Sequence, residues 1–165
     1  MSMTSNVVKV GIADLKITRA PEILRTSGLG SCVGVVVFDH SQRIAGMSHV
    51  MLPDSHLSKR DDLNEMKYAD TAIDLLIDSL LHDGARAYAL KAKIAGGAQM
   101  FSFSTSNDLL RVGHRNIEAV KQRLSHHRIP IIAEDVGGNS GRTIEFFPDT
   151  GILKVRTVNM GEKEI

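Results

Sequence analysis

The chain has no tryptophan, one cysteine, four prolines and seven aromatic residues among 165. A single cysteine forms no internal disulfide, so nothing ties the fold to an oxidising compartment, and a cytoplasmic location is the expectation. The scarcity of aromatics predicts an aliphatic core. No apolar run approaches the length of a membrane span, and Met1 to Ser5 lack the basic and apolar blocks of a signal peptide, so direct membrane insertion is not expected. There is also no surplus of one charge: 20 Lys and Arg face 19 Asp and Glu, with no dense basic block to neutralise a phosphate backbone. Nucleic acid is therefore not an expected partner.

What is present is ordinary for a globular protein, with 42% hydrophobic and 24% charged residues. The length predicts one compact domain over residues 1–165, with residues 1–5 as a flexible tail. Val7 to Ile17 reads as a strand softened at Gly11, followed by a glycine-rich segment, Ser27-Gly28-Leu29-Gly30-Ser31. Cys32 to Phe38 and Ile44 to Leu52 read as an antiparallel hairpin around a turn at His40 to Arg43. A three-and-four spacing from Met66 to Leu80 predicts a helix that begins near a capping box at Asp62 and Glu65 and stops at Gly84. A strand at Leu90 to Ala95 and a second helix from near Asn107 to before Pro130 follow. Strands at Ile131 to Asp135, Thr143 to Phe147 and Ile152 to Val158 complete the pattern. Two main helices and about seven mostly antiparallel strands predict α+β layers rather than a doubly wound parallel sheet.

The lone cysteine carries the chemistry worth testing. A thiol attacks as the thiolate and needs a base, commonly histidine, with backbone donors for the oxyanion. An even-length turn pairs Asp39 with Ile44 and sets His49 opposite Gly34. Cys32 is then the diagonal neighbour of His49 on the same face, with backbones roughly 7–8 Å apart. An odd turn would put the two side chains on opposite faces. Gly34 would leave room above the sheet for an imidazole or a substrate, and Gly28 and Gly30 would let the preceding loop approach closely and aim amides at an oxyanion. Thr26 is the candidate to orient the imidazole, although spacing does not separate it from Ser27 or Ser31. The rival reading is bland: a cysteine in a valine-rich strand also serves as a small buried hydrophobe, and a histidine as a satisfied structural group. On residues alone both readings stay open.

Three segments together resolve the choice by resemblance. Thr26-Ser27-Gly28-Leu29-Gly30-Ser31-Cys32-Val33-Gly34, Gly46-Met47-Ser48-His49-Val50-Met51-Leu52-Pro53 and Ala95-Gly96-Gly97-Ala98-Gln99-Met100-Phe101 resemble the CheD family of chemoreceptor glutamine deamidases. The likeness extends through Asp135-Val136-Gly137-Gly138 and Gly141-Arg142 to Thr150-Gly151. It implies a layered α/β/β sandwich. It also implies a cysteine-dependent hydrolase that converts particular glutamines of methyl-accepting chemoreceptors to glutamate, without metal or organic cofactor, and a CheC-type phosphatase as partner. Cys32, His49 and Thr26 match the family's catalytic residues, and Gly30 and Ser31 fall in the oxyanion and substrate loop.

Two other readings use the same residues. The chain could act mainly as a non-catalytic adaptor binding the phosphatase and receptors, with Phe101 and Phe103 as candidate anchors, or as a transglutaminase-like acyl transferase with an amine as acceptor. Remaining motifs carry less. Gly28-Leu29-Gly30 lacks a dinucleotide-binding context, His126-His127 reads as a solvated helix end without metal-ligand partners, and Arg142 as a residue bonding across the Gly137-Gly138 turn or meeting an acidic receptor surface.

Overall fold

A computed structural model describes residues 6–57, 64–99 and 111–165. The expectations that fall on Asp62, on Phe101 and Phe103, on Asn107 and on residues 1–5 lie outside these.

The described residues form ten strands and two α-helices in three layers. β1 (Val7–Lys9), β3 (Ile23–Leu29), β8 (Arg142–Phe147), β9 (Ile152–Thr157) and β10 (Gly161–Glu164) build an outer sheet in the order β1-β3-β8-β9-β10. β2 (Leu15–Arg19), β5 (Ile44–Val50), β4 (Val33–Asp39), β6 (Lys91–Gly96) and β7 (Ile131–Val136) build a central sheet in that order. Pairing is antiparallel except for β1 with β3 and β6 with β7. The helices α1 (Ala69–His82) and α2 (Val112–His126) cover the far face of the central sheet. The result is the α/β/β sandwich implied by the resemblance.

Side-chain alternation along the central strands explains the two cores. Val33, Val35 and Val37 point to the helices and meet Ile73, Leu76, Leu80, Val120 and Leu124. Val36, Phe38, Ala45 and Met47 point the other way, onto Leu24, Leu29, Ile144, Phe146, Leu153 and Val155 of the outer sheet. β4 and β5 are buried on both faces, which is why β4 reads as a nearly continuous apolar run.

Ten strands replace the seven predicted for three reasons. Val7 to Ile17 is two strands in two sheets: the Asp14 carboxylate accepts the amides of Gly11 and Leu15 and closes a turn between them. Ile23–Leu29 is a strand, not a loop, hidden by a bulge between Thr26 and Leu29 where Gly28 has a φ of +72°. β10 is exposed at every residue and lacks the apolar alternation that would announce it. The first helix starts later than predicted, at Ala69, because the preceding backbone is tied to the end of β5: Lys67 O accepts the amides of Met51 and Leu52, and Ala69 N donates to Leu52 O.

Candidate functional site

The β4–β5 hairpin has the even register: Asp39 pairs with Ile44 and Gly34 with His49. Cys32 lies one residue beyond the last pair, Val33 with Val50, on the face turned to the outer sheet. His49 shares that face. Thr26 comes from the opposite sheet, on β3, so Thr26 and His49 meet across the sandwich rather than along one loop.

His49 is fully buried. Its Nδ1 lies 2.8 Å from Thr26 Oγ1, and Thr26 Oγ1 donates its own proton to Val10 O at 2.7 Å. With its one hydrogen committed to that carbonyl, the hydroxyl can only accept from the ring. Nδ1 therefore carries the proton and Nε2 presents a lone pair. Nε2 is buried and has no hydrogen-bond partner among the described residues. Burial lowers the imidazole pKa to about 4, and burial raises that of the half-buried Cys32 thiol against the pull of its own backbone N–H. Both shifts favour the neutral thiol and the neutral imidazole.

The loop before the cysteine is held through its carbonyls. Ala98 N donates to Gly30 O at 2.8 Å, Asn116 Nδ2 to Ser31 O at 2.9 Å, and Gly97 N to Cys32 O at 2.8 Å. Within the loop the amide of Gly30 donates to Gly28 O at 3.0 Å. The amides of Ser31 and Cys32 meet no backbone acceptor among the described residues. α2 comes close enough to support this loop only because residue 113 is glycine: a Cβ there would stand 2.4 Å from Ala98 O.

Gly34 does not open a space above the sheet, contrary to expectation. A Cβ at Gly34 would lie 2.6 Å from Ile144 Cδ1 and 3.2 Å from Leu29 Cδ1, so the glycine is there to let the two sheets approach. That approach is what brings Thr26, register partner of Ile144, within reach of His49. Arg142 takes the first of its two predicted roles: Nη2 donates to Gly137 O at 2.9 Å and Nε to Asp135 Oδ2 at 3.1 Å. His127 is not free in solvent but pairs with Asp74 at 2.7 Å beside Arg123.

Asn116 is the residue a motif-based reading misses. It is fully buried on the apolar face of α2, four residues before Val120 and eight before Leu124. A polar residue at that periodic position was the available signal. Elsewhere, the ligand atoms of Asp54, His56 and Asp70 lie within 4.8 Å of one another, but Asp54 and His56 bond each other and Ser55 holds Asp70. A cleft of about 500 Å³ between the helices, lined by Pro53, Asp70, Arg115 and Arg123 among others, does not include Cys32 or His49. Among the described residues, no helix is long and apolar enough to cross a membrane.

The comparisons with known proteins concur with the resemblance. The chain is 60% identical over 161 residues to the protein of Halalkalibacterium halodurans named chemoreceptor glutamine deamidase CheD, covering 98% of this chain and 99% of that one. It is 58% identical over 166 residues to the Bacillus subtilis protein of the same name, covering all of both. Among solved structures, the hypothetical protein YfiH of Bacillus licheniformis aligns with a TM-score of 0.49 at 15% identity, over 84% of this chain and 61% of that one. The model of the family described as CheD chemotactic sensory transduction matches residues 51–157, a span that begins just after His49. On the family match and on these full-length identities, the chain belongs to the CheD family.

Proposed function

We propose that this protein is a chemoreceptor glutamine deamidase in which Cys32 is the nucleophile, His49 the acid and base, and Thr26 the group that fixes the imidazole. The observation that carries the residue assignment is the Val10–Thr26–His49 hydrogen-bond chain. It commits Nδ1 as a donor and leaves Nε2 a bare buried acceptor on the face that holds Cys32.

In this reading Nε2 takes the Cys32 proton as the sulfur attacks the carbonyl carbon of the glutamine side chain. The oxyanion receives the amides of Ser31 and Cys32, which have no competing backbone acceptor among the described residues. The imidazolium returns its proton to the departing nitrogen, and ammonia leaves. Water, deprotonated by the same Nε2, then cleaves the thioester to glutamate and restores the thiol. At neutral pH an imidazole with a pKa of about 4 is unprotonated, so Nε2 starts as an acceptor.

The substrate is a receptor glutamine, as the names of the relatives state for those proteins. A CheC-type phosphatase is the proposed partner, with Phe101 and Phe103 as proposed anchors. Intact mass and ammonia release on a receptor fragment, with and without the phosphatase, test the whole reading. Wild type should add about 1 Da and release one ammonia per site, the balance of amide hydrolysis through a covalent intermediate. Cys32→Ala should do neither. Deamidation by Cys32→Ala at the wild-type rate would end the cysteine assignment.

A further inference from the structure

We propose that Asn116 is a positioning residue of this site: by holding the Ser31 carbonyl it aims the Cys32 amide N–H at the oxyanion. The proposal rests on the reading of Cys32 as nucleophile.

A trans peptide is planar and its C=O and N–H point in opposite directions, so a donor that grips the carbonyl of one residue also sets the direction of the next residue's N–H. Three successive planes are gripped in this way. Ala98 N holds Gly30 O and thereby sets Ser31 N–H; Asn116 Nδ2 holds Ser31 O and sets Cys32 N–H; Gly97 N holds Cys32 O and sets Val33 N–H. Val33 N–H belongs to a paired strand. The other two amides are the ones without a backbone acceptor among the described residues. Of the two grips behind them, one is backbone and independent of side-chain identity. The grip behind the nucleophile's own amide is the side chain of Asn116.

The second hydrogen of the same Nδ2 goes to Met51 O at 2.9 Å. Met51 stands two residues after His49, beyond the last β4–β5 pair. One amide group thus ties together the ends of the strands that carry the proposed nucleophile and base. The arrangement has a cost, because Asn116 Oδ1 is buried with no partner among the described residues, and asparagine is a modest helix former. Gly113 and Ile117 on the same face of α2 press against Gly97, which fixes the height of the helix over the loop.

The test separates oxyanion stabilisation from thiol activation. Alkylation of Cys32 by iodoacetamide displaces iodide at a saturated carbon and forms no oxyanion, so its rate against pH reports the thiol and its base alone. Asn116→Ala and Asn116→Asp should lower kcat for receptor deamidation about 10- to 100-fold, with KM changed less than about 3-fold. The alkylation profile should superimpose on that of wild type. Asn116→Ser, which retains one donor, should fall between and show the same split, and it decides the matter if the other two do not fold by circular dichroism. Unchanged kcat in a folded variant, or alkylation falling in parallel with kcat, overturns the proposal. Cys32→Ala run alongside keeps the two readings apart: activity without the thiol removes the nucleophile, whereas a parallel loss in the Asn116 variants removes only the positioning role.

Discussion

The β4–β5 hairpin buries one ionisable side chain near each end, and the molecule treats the two in opposite ways. At the turn, Asp39 is fully buried and saturated: its carboxylate accepts the amide, Nε and Nη2 of Arg86 and further bonds from Ser41 and Gln42. Burial pushes its pKa up, but the Arg86 hydrogen bonds outweigh that and hold it below the usual carboxylate value. At the open end, His49 is just as inaccessible, yet only one of its two nitrogens is paired among the described residues. An unmet buried polar atom is costly, so saturation at Asp39 fits a structural ion pair, while the unpaired Nε2 is the atom to which the proposed mechanism gives the proton.

Substitutions at the two ends should break this contrast cleanly. His49→Gln should lower kcat/KM for deamidation about 10²- to 10⁴-fold while leaving the melting temperature close to wild type, measured by ammonia release and thermal scans. Arg86→Leu should do the reverse, leaving kcat near wild type and costing about 3 kcal/mol in urea unfolding by abandoning the buried Asp39 charge. An Arg86 variant that is stable but inactive would erase the distinction.

Thr26→Val keeps the shape and removes the oxygen that accepts from Nδ1. We expect a loss of about 10- to 100-fold in kcat, through an imidazole free to adopt the wrong tautomer, and recovery in Thr26→Ser. Equal activity in Val and Ser variants would show that the hydroxyl orients nothing.

The pH dependence sharpens the same point. Folded His49 is protonated only near pH 4, against 6.5 for an unperturbed imidazole. The unfolded chain therefore binds more protons across that window, and stability falls as the pH drops from about 6.5 towards 4. Urea midpoints of His49→Gln should lose this part of the slope. In wild type, the acid limb of kcat/KM should lie near pH 4 rather than 6.5 for as long as the protein stays folded.

The smallest effect belongs to Gly34. Gly34→Ala places a methyl against Ile144 Cδ1, the mobile end of a side chain, and should cost about 1–2 kcal/mol, relieved in part by Ile144→Val.

Periodicity made most of the central sheet and both helices legible, since fully buried strands and amphipathic helices announce themselves in local pattern. The turn length around Ser41-Gln42 also predicted the register that puts Cys32 and His49 on one face. Local pattern was silent where the outer sheet departs from regular alternation. Thr26 and Gly28 made β3 look like a loop, and the exposed β10 looked like nothing at all. Gly34 was misjudged for a related reason: a glycine in a strand shows that something comes close, not whether it is substrate or Ile144.

The sequence by itself offered Cys32 and His49 as candidates and, for an even-length turn, their shared face, because a hairpin's register is a local property of its turn and its alternation. Residue spacing alone listed Thr26 beside Ser27 and Ser31 without choosing among them, and the family resemblance pointed to Thr26 without a contact to explain it. The tertiary structure supplied the contact of Thr26 with His49, by bringing a second sheet over Gly34, and only it brought Asn116 from a helix more than eighty residues away onto Ser31 O. Both contacts run between layers, and the spacing of residues along one chain does not encode the distance between sheets.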